Sequence, residues 1–208
     1  MQTYKSSKEE KLHSISISAD QENFITSDEN RVDMWHIERG AGAVFNLVDQ
    51  ENDKQSDHIT STSFNKDSGC IFLYTKSSGN INICDLRERS DFHRDGPSLT
   101  LESSSYNPLK SSYSKWIDCV SDAQFVPNSQ SIISRDYAKV KLWDLRTFSK
   151  PVYSAQVNDY IERNLTKLSD DEQLEDQFFI RCSPDGKHFA TGGYNRAGHV
   201  LDINATSN

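Results

Sequence analysis

The sequence has few of the residues that build crosslinked or metal-bound proteins. Its 208 residues contain no Cys-x-x-Cys pair, and the six histidines form neither an HExxH motif nor a two-His-one-carboxylate pattern. The sequence therefore predicts neither a zinc knuckle nor a dense disulfide framework, and we expect no metal and no cofactor. The four cysteines are far apart, in runs typical of strands, and are Cys70, Cys84, Cys119 and Cys182.

Long apolar runs are also missing. No stretch approaches the roughly 18 apolar residues that would span a membrane. The beginning of the chain, MQTYKSSKEEKLHS, lacks the apolar centre of a signal peptide. We therefore expect no membrane span and a location in the cytoplasm, or in the nucleus as well.

Basic residues are in deficit. The chain has 23 Lys and Arg residues against 31 Asp and Glu residues, which gives a formal net charge of -8. A protein of this sign repels phosphate backbones, so we expect no nucleic-acid partner. The excess of carboxylates would attract basic partners, although a dispersed charge also serves solubility.

The motifs of common enzymes are absent as well. A hydrolase needs a nucleophile on a strained turn, as in Gly-x-Ser-x-Gly, with a histidine and a carboxylate to serve it. No such motif occurs, and the glycines at 40, 42, 192, 193 and 198 do not form a phosphate-binding loop. We therefore expect no catalytic residue and no enzymatic activity.

What the sequence does contain is one pattern repeated four times. Each copy has an alternating strand, a turn, a second short strand, another turn and a closing strand. Period-two alternation punctuated by Gly, Pro, Asn and Asp indicates β-hairpins, and repeats of this kind are typical of WD40-type β-propeller blades. The turn Ser183-Pro184-Asp185-Gly186 has the residues that a tight turn needs. The four closing pairs are Trp35-His36, Cys84-Asp85, Trp143-Asp144 and Leu201-Asp202.

The repeats divide the chain into four units with long connections. We predict an all-β partial propeller over residues 13–203, preceded by a lead-in segment, 1–12, and followed by a tail, 204–208. The closing pairs are farther apart than the roughly 40–45 residues of a plain WD unit, so the surplus must lie in the connections. The predicted units are 13–37, 59–86, 117–145 and 178–203, and the connections are 38–57, 87–115 and 147–176.

The third connection differs from the other two. In DYIERNLTKL, Ile161, Leu165 and Leu168 recur at helical spacing, and Asp159 with Glu162 forms a plausible capping box. This pattern predicts a short helix in the insertion, packed on the rim of the propeller.

Five segments carry a resemblance to one family of propellers. They occur in order along nearly the whole chain and include an Arg-Asp-Tyr turn before a Val-Lys-Leu-Trp-Asp-Leu strand. Together they resemble the WD-repeat regulatory B subunits (PR55-type) of protein phosphatase 2A. The segments are HSISISADQENFITSDENRVDMWHIE (13–38), FNLVD (45–49), SRDYAKVKLWDL (134–145), PVYSAQVNDYIERNLTKL (151–168) and TGGYN (191–195).

The resemblance implies a seven-bladed propeller that does no chemistry itself. Its implied partners are the scaffold and catalytic subunits of a heterotrimeric serine/threonine phosphatase and basic phosphoprotein substrates, which an acidic groove would capture. The implied groove residues are Asp28 and Glu29 before the first Trp, and Asp170, Asp171 and Glu172 after the predicted helix.

The turn Arg135-Asp136-Tyr137 is a family label with two possible roles. Its large side chains could contact a partner, or they could form a fixed ion pair inside the fold. The sequence leaves both roles open.

Several positions depart from the family pattern. The family's Tyr-His-Ile-Asn lead into the first strand reads Glu10-Lys11-Leu12-His13 here, Gln55 replaces an apolar residue, Ser169 replaces a tyrosine and Glu175 replaces a phenylalanine. A groove that keeps its charge and loses such anchors should bind less tightly, because aromatic side chains supply much of the energy at interfaces.

The number of units also departs from the family. About four of the seven expected units are present, and an open propeller leaves strand edges unpaired. Two alternatives to a phosphatase subunit therefore remain: a free-standing WD-repeat interaction scaffold, and a truncated fragment without independent function.

Overall fold

The described part of the chain forms four antiparallel β-sheets that follow one another along the sequence. The computed structural model thus confirms the predicted all-β fold, and its sheets of three or four strands have the arrangement of a partial WD40 propeller. The predicted helix lies outside the described residues. The structure describes residues 3–5, 11–40, 42–48, 57–88, 97–103, 117, 119–147, 149–158, 177–194 and 196–203.

Neighbouring strands in each sheet are consecutive in the chain, as expected for hairpins. The first sheet contains β1 (Ser14–Ile17), β2 (Asn23–Ser27), β3 (Arg31–His36) and β4 (Phe45–Val48). The second contains β5 (Ile59–Phe64), β6 (Ile71–Lys76), β7 (Asn80–Asp85) and β8 (Leu99–Glu102). The third contains β9 (Val120–Phe125), β10 (Ser131–Asp136), β11 (Lys139–Asp144) and β12 (Tyr153–Gln156), and the fourth contains β13 (Ile180–Cys182), β14 (His188–Gly192) and β15 (Gly198–Asp202).

The outermost strands β4, β8 and β12 were not part of the repeat template. Each has four residues and lies in a segment predicted to be a connection. Along β8 and β12 most side chains are exposed or half-buried, so the apolar signal is weak. Part of each long connection is therefore a strand rather than a loop.

The core consists of three layers of apolar side chains between successive sheets. We call the face of a sheet toward the next sheet its front face, and the opposite face its back face. Neighbouring sheets approach each other mainly through their first strands. Between the first and second sheets, Ile25 and Val32 of the front face pack on Phe72 and Cys84. Between the second and third, Leu73 and Ile81 pack on Ile132 and Trp143. Between the third and fourth, Ile133 and Val140 pack on Ile180 and Phe189.

The Pro-Asp-Gly turn of the fourth sheet has the predicted geometry. The Gly186 N–H donates to Ser183 O at 2.9 Å, and the Asp185 carboxylate accepts from the Lys187 N–H at 3.2 Å. Gly186 has a φ of 70°, and a Cβ there would lie 2.7 Å from Pro127 O. Glycine is required here both for the left-handed backbone and for the close approach to the third sheet.

Candidate functional site

The candidate site lies along the turns that join the second strand of each sheet to the third. We call the turns 28–30, 77–79 and 137–138 the turn rim. Backbone hydrogen bonds fix the first two turns to their surroundings: Glu29 O accepts from the Ile59 N–H at 2.8 Å, and Gly79 O accepts from the Ser103 N–H at 2.9 Å. These two turns are therefore tied to neighbouring segments of the chain.

Each of the three sheets that form the turn rim contains an ion pair, which is buried in the first and third sheets and half-buried at its carboxylate in the second. In each pair a lysine or arginine side chain reaches a carboxylate at the turn. Pairing lowers the free-energy cost of removing both charges from water, which would be high for either charge alone. Sequence spacing revealed the first and third pairs only as nearby opposite charges, and it gave no signal for the second, whose members are far apart in the chain. The pairs are Asp28–Arg31 at 3.3 Å, Asp57–Lys76 at 3.5 Å and Asp136–Lys141 at 3.0 Å.

Asp28 stabilises its own turn. It is 2% exposed, and its Oδ1 accepts from the backbone N–H groups of Asn30 at 2.8 Å and Arg31 at 2.7 Å. Its Oδ2 accepts from the Arg31 Nε–H at 3.3 Å. The Asp28 carboxylate is thus occupied inside the fold, although the resemblance implied a place in the groove.

Glu29 has the opposite environment. Its side chain is 62% exposed, and its Oε1 lies 3.8 Å from His13 Nε2. His13 is mostly covered, and its Nε2 has no hydrogen-bond partner within the described part of the chain. The Glu29 carboxylate is therefore exposed to solvent at this turn, beside a mostly covered imidazole.

The second predicted acidic stretch cannot be compared with this geometry. Asp170, Asp171 and Glu172 lie outside the described residues. Their place in an acidic groove stays a prediction.

The Asp136 carboxylate belongs to a buried network between the second and third sheets. Its Oδ1 accepts from the N–H groups of Ala138 at 2.9 Å and Lys139 at 2.6 Å. Its ion-pair partner, Lys141, also donates to Ser103 Oγ at 2.7 Å and Ser103 O at 3.1 Å. Asp136 therefore closes a turn and holds two sheets together at once.

Arg135 is buried in the same way, between the third and fourth sheets. Its guanidinium donates to Asp136 O at 2.5 Å and to Thr191 Oγ1 at 3.2 Å, and it lies 5.0 Å from the ring centroid of Phe178. Burial lowers the pKa of this guanidinium to about 10, which still leaves it charged at neutral pH. Arg135 is a cation built into the core of the interface.

Tyr137 completes the family-label turn and is also buried. Its ring packs edge-on against Phe178, with centroids 6.3 Å apart, and its backbone carbonyl accepts from Asn158 Nδ2 at 2.8 Å. Arg135 and Tyr137 therefore serve the joint between the third and fourth sheets, while Asp136 serves the joint between the second and third. Of the two roles left open by the sequence, the internal one fits these contacts.

The described part of the chain contains no cluster of three or more His, Cys, Asp and Glu side chains placed to hold a metal ion. Within the same residues, no helix has the length and apolar character that a bilayer crossing requires.

Comparison with known proteins decides the family. A Caenorhabditis elegans protein named serine/threonine-protein phosphatase 2A regulatory subunit sur-6 is 33% identical over 187 residues, which cover 88% of this chain. The Dictyostelium discoideum regulatory subunit phr2AB is 33% identical over 197 residues, or 93% of this chain. The chain belongs to this family of phosphatase 2A regulatory subunits.

The likeness extends to insects and covers only part of each relative. The Drosophila melanogaster protein named protein phosphatase PP2A 55 kDa regulatory subunit is 30% identical over 199 residues. The chain spans 37%, 40% and 39% of the lengths of the worm, Dictyostelium and fly regulatory subunits. No protein-family model matches the chain. At this level of identity the phosphatase 2A subunit family is shown, and the chain is a divergent member of it.

Proposed function

We propose that the chain is a regulatory, substrate-selecting subunit of the serine/threonine phosphatase 2A holoenzyme, acting by protein–protein binding. The single observation that carries this proposal is the match of about nine tenths of the chain to proteins named as regulatory subunits of that phosphatase. A stack of sheets that exposes side chains such as Glu29 on its turns is a suitable binding platform. The proposed partners are the scaffold and catalytic subunits and basic phosphoprotein substrates.

In this proposal the chain supplies binding, and the catalytic subunit supplies the chemistry. The buried charges of the turn rim are neutralised in pairs, so they contribute little attraction at a distance. Glu29 is exposed on that rim, and the net charge of -8 adds a long-range attraction for basic segments. Glu29 is therefore the described residue best placed to contact a basic substrate.

Assembly can be tested by purifying the tagged chain from extract. We expect the scaffold and catalytic subunits of phosphatase 2A to co-purify with it, because the family match covers most of the chain. Asp136→Ala breaks the buried network and destabilises the fold. The tagged chain with this substitution therefore serves as the control for binding that does not depend on the folded structure. Recovery of unrelated partners without either phosphatase subunit would contradict the proposal and favour a free-standing scaffold.

Reversal of the exposed charge tests the substrate surface. We expect Glu29→Lys to weaken the binding of a basic phosphopeptide about five- to tenfold at low salt, and the difference should shrink as salt screens the charges. Fluorescence anisotropy titrations at two salt concentrations measure this. Glu22→Lys is a matched control, because Glu22 is exposed on the β1–β2 turn at the other end of the same sheet.

An equal loss of affinity in the two variants would show that only net charge matters, and the Glu29 site would be rejected. The same reversal at Asp170 tests the second acidic stretch separately. A loss there with no loss at Glu29 would move the substrate surface to the third connection.

A further inference from the structure

Three of the five segments that resemble the phosphatase subunits meet at one point of the structure. They are the Arg-Asp-Tyr turn after β10, the Gln-Val-Asn sequence at the end of β12, and the Thr-Gly-Gly-Tyr sequence at the end of β14. The segments lie far apart in the chain and share no pattern, so the sequence gives no reason for them to meet. Their common contact is Asn158, which is only 4% exposed.

Both polar groups of the Asn158 side chain are bonded to neighbouring sheets. Its Nδ2 donates to Tyr137 O at 2.8 Å, and its Oδ1 accepts from the Tyr194 N–H at 3.4 Å. The backbone N–H groups of Val157 and Asn158 both donate to Ala138 O, at 2.8 Å and 3.1 Å. Asn158 thus joins the turn rim of the third sheet to the fourth sheet.

Gly193 leaves room for the Asn158 side chain. A Cβ at Gly193 would lie 2.8 Å from Asn158 Oδ1 and 3.0 Å from His199 Nε2. In a close-packed interior a carbon atom cannot approach an oxygen this closely unless one of them shifts. A side chain at Gly193 would therefore push Asn158 away from its two bonds, which explains the second glycine of the Thr-Gly-Gly-Tyr sequence.

The chain that leaves the fold at Asn158 returns to the same place. Segment 159–176 lies outside the described residues, and Phe178 follows it closely. The Phe178 ring packs edge-on against Tyr137 and Tyr194, with centroids 6.3 Å and 4.9 Å away. The two residues that flank the segment therefore contact the same turn of the third sheet and the same tyrosine of the fourth.

Two further contacts hold Phe178. The Arg135 guanidinium lies 5.0 Å from the centroid of its ring, and the Ser121 hydroxyl donates to Phe178 O at 2.8 Å. A buried cation over an aromatic face and an edge-on pair of rings each add to the energy of apolar packing. Both ends of segment 159–176 are thus fixed, one by hydrogen bonds of Asn158 and the other by contacts of the Phe178 ring.

Fixing both ends of a segment limits where its residues can go. Segment 159–176 contains three consecutive carboxylates, at 170–172. Charges tethered close to a binding surface act on a bound partner at a higher effective concentration than charges on a segment with a free end. The contacts at the two ends therefore bear on how strongly these carboxylates attract a cation at the turn rim.

We propose that Asn158 is a positioning residue for the binding of basic segments. Together with Phe178 it fixes where segment 159–176 leaves and re-enters the fold, and it thereby makes the carboxylates of that segment available to a Lys- and Arg-rich segment at the turn rim. The inference rests on the proposed substrate selection and assigns a role to residues that do not touch the substrate. It also gives the Arg135-Asp136-Tyr137 turn a function, as the support of both ends.

Asn158→Ala tests whether the segment is held at this end, since it removes both side-chain bonds. We expect tryptic cleavage after Arg163 and Lys167 to become about fivefold faster, because local opening exposes peptide bonds without global unfolding. Mass spectrometry of the fragments measures the rate. The matched control is Gln124→Leu, which removes a bond to the Cys182 N–H in the same joint, at the other end of β13. Its cleavage rate should stay near that of the original chain.

A charge reversal in the segment tests the link to binding. In the original chain we expect Asp170→Lys to weaken the binding of a basic phosphopeptide about fivefold at low salt. In the Asn158→Ala chain the same reversal should change the affinity less than about twofold, because a carboxylate that is no longer positioned contributes little. In the Gln124→Leu chain the full effect should remain. Fluorescence anisotropy titrations measure all three.

Gly193→Ala disturbs the same contact from the fourth sheet and leaves Asn158 in the chain. We expect it to speed the cleavage and to reduce the effect of Asp170→Lys in the same way as Asn158→Ala. Circular dichroism shows whether each variant is folded, so the second variant decides the question if the first does not fold.

Three results would overturn the proposal. Equal acceleration of cleavage by Asn158→Ala and Gln124→Leu would show a general weakening of the joint. An undiminished effect of Asp170→Lys in the folded Asn158→Ala or Gly193→Ala chain would show that the carboxylates do not depend on this anchor. Absence of any effect of Asp170→Lys in the original chain would show that the segment does not bind basic peptides. The proposed phosphatase function is decided separately, by the co-purification of the scaffold and catalytic subunits.

Discussion

Asp136→Ala is expected to lower the free energy of unfolding by about 3–5 kcal/mol, because it leaves a buried lysine without its carboxylate. Lys141 lies 3.0 Å from Asp136, and both side chains are almost fully buried. The Asp136 carboxylate also closes the β10–β11 turn by accepting from the N–H groups of Ala138 and Lys139, and the substitution removes this acceptor. Urea denaturation followed by circular dichroism measures the loss.

Two further variants make the cause of this loss specific. Asp144→Ala removes an aspartate of the same strand pair whose partner, Arg146, is exposed, and we expect little change because solvent already screens this pair. Asp136→Ala combined with Lys141→Met should recover part of the lost stability, since no unpaired charge remains buried. Equal losses for Asp136→Ala and Asp144→Ala would show that the buried pair has no special weight.

Trp143→Ala is expected to cost about 3–5 kcal/mol of unfolding free energy, because it opens a cavity between the second and third sheets. Trp143 is fully buried against Leu73 and Ile81, and its Nε1–H donates to Ser134 Oγ at 2.8 Å. The substitution removes the largest side chain of this layer and leaves the serine hydroxyl without its donor. The midpoint of urea unfolding should fall accordingly.

The chain itself offers the matched control for this substitution. In the fourth sheet the position that corresponds to Trp143 is occupied by Leu201, which packs against the front face of the third sheet. Trp143→Leu should therefore cost clearly less than Trp143→Ala, since leucine fills part of the space. If the two variants lost the same stability, cavity volume would not be what the tryptophan contributes.

The repeat pattern predicted the sheets because hairpin signals are local. Alternation in ITSTSF and CVSDAQF and the Ser-Pro-Asp-Gly turn each specify backbone geometry within a few residues. The strands β4, β8 and β12 were not predicted, because they lack such local signals. They are short edge strands whose place depends on pairing with β3, β7 and β11, which lie many residues earlier in the chain.

The family was also readable from the sequence, because order and spacing of motifs survive divergence. The role of the motif residues was not. Asp28 and Glu29 are adjacent carboxylates with equal claims in the sequence, yet one is buried against Arg31 and the other is exposed on the rim. Burial depends on which element covers a turn, and nothing within the turn encodes that.

The sequence by itself determined the class of fold, the four repeating units and the phosphatase-subunit resemblance, because each rests on local patterns that are repeated or ordered along the chain. Only the tertiary structure decided what the charged residues do. It placed Arg135 and Asp136 in internal contacts and paired Asp57 with Lys76. These outcomes depend on neighbouring sheets, and contacts between distant segments fix both desolvation and hydrogen bonding.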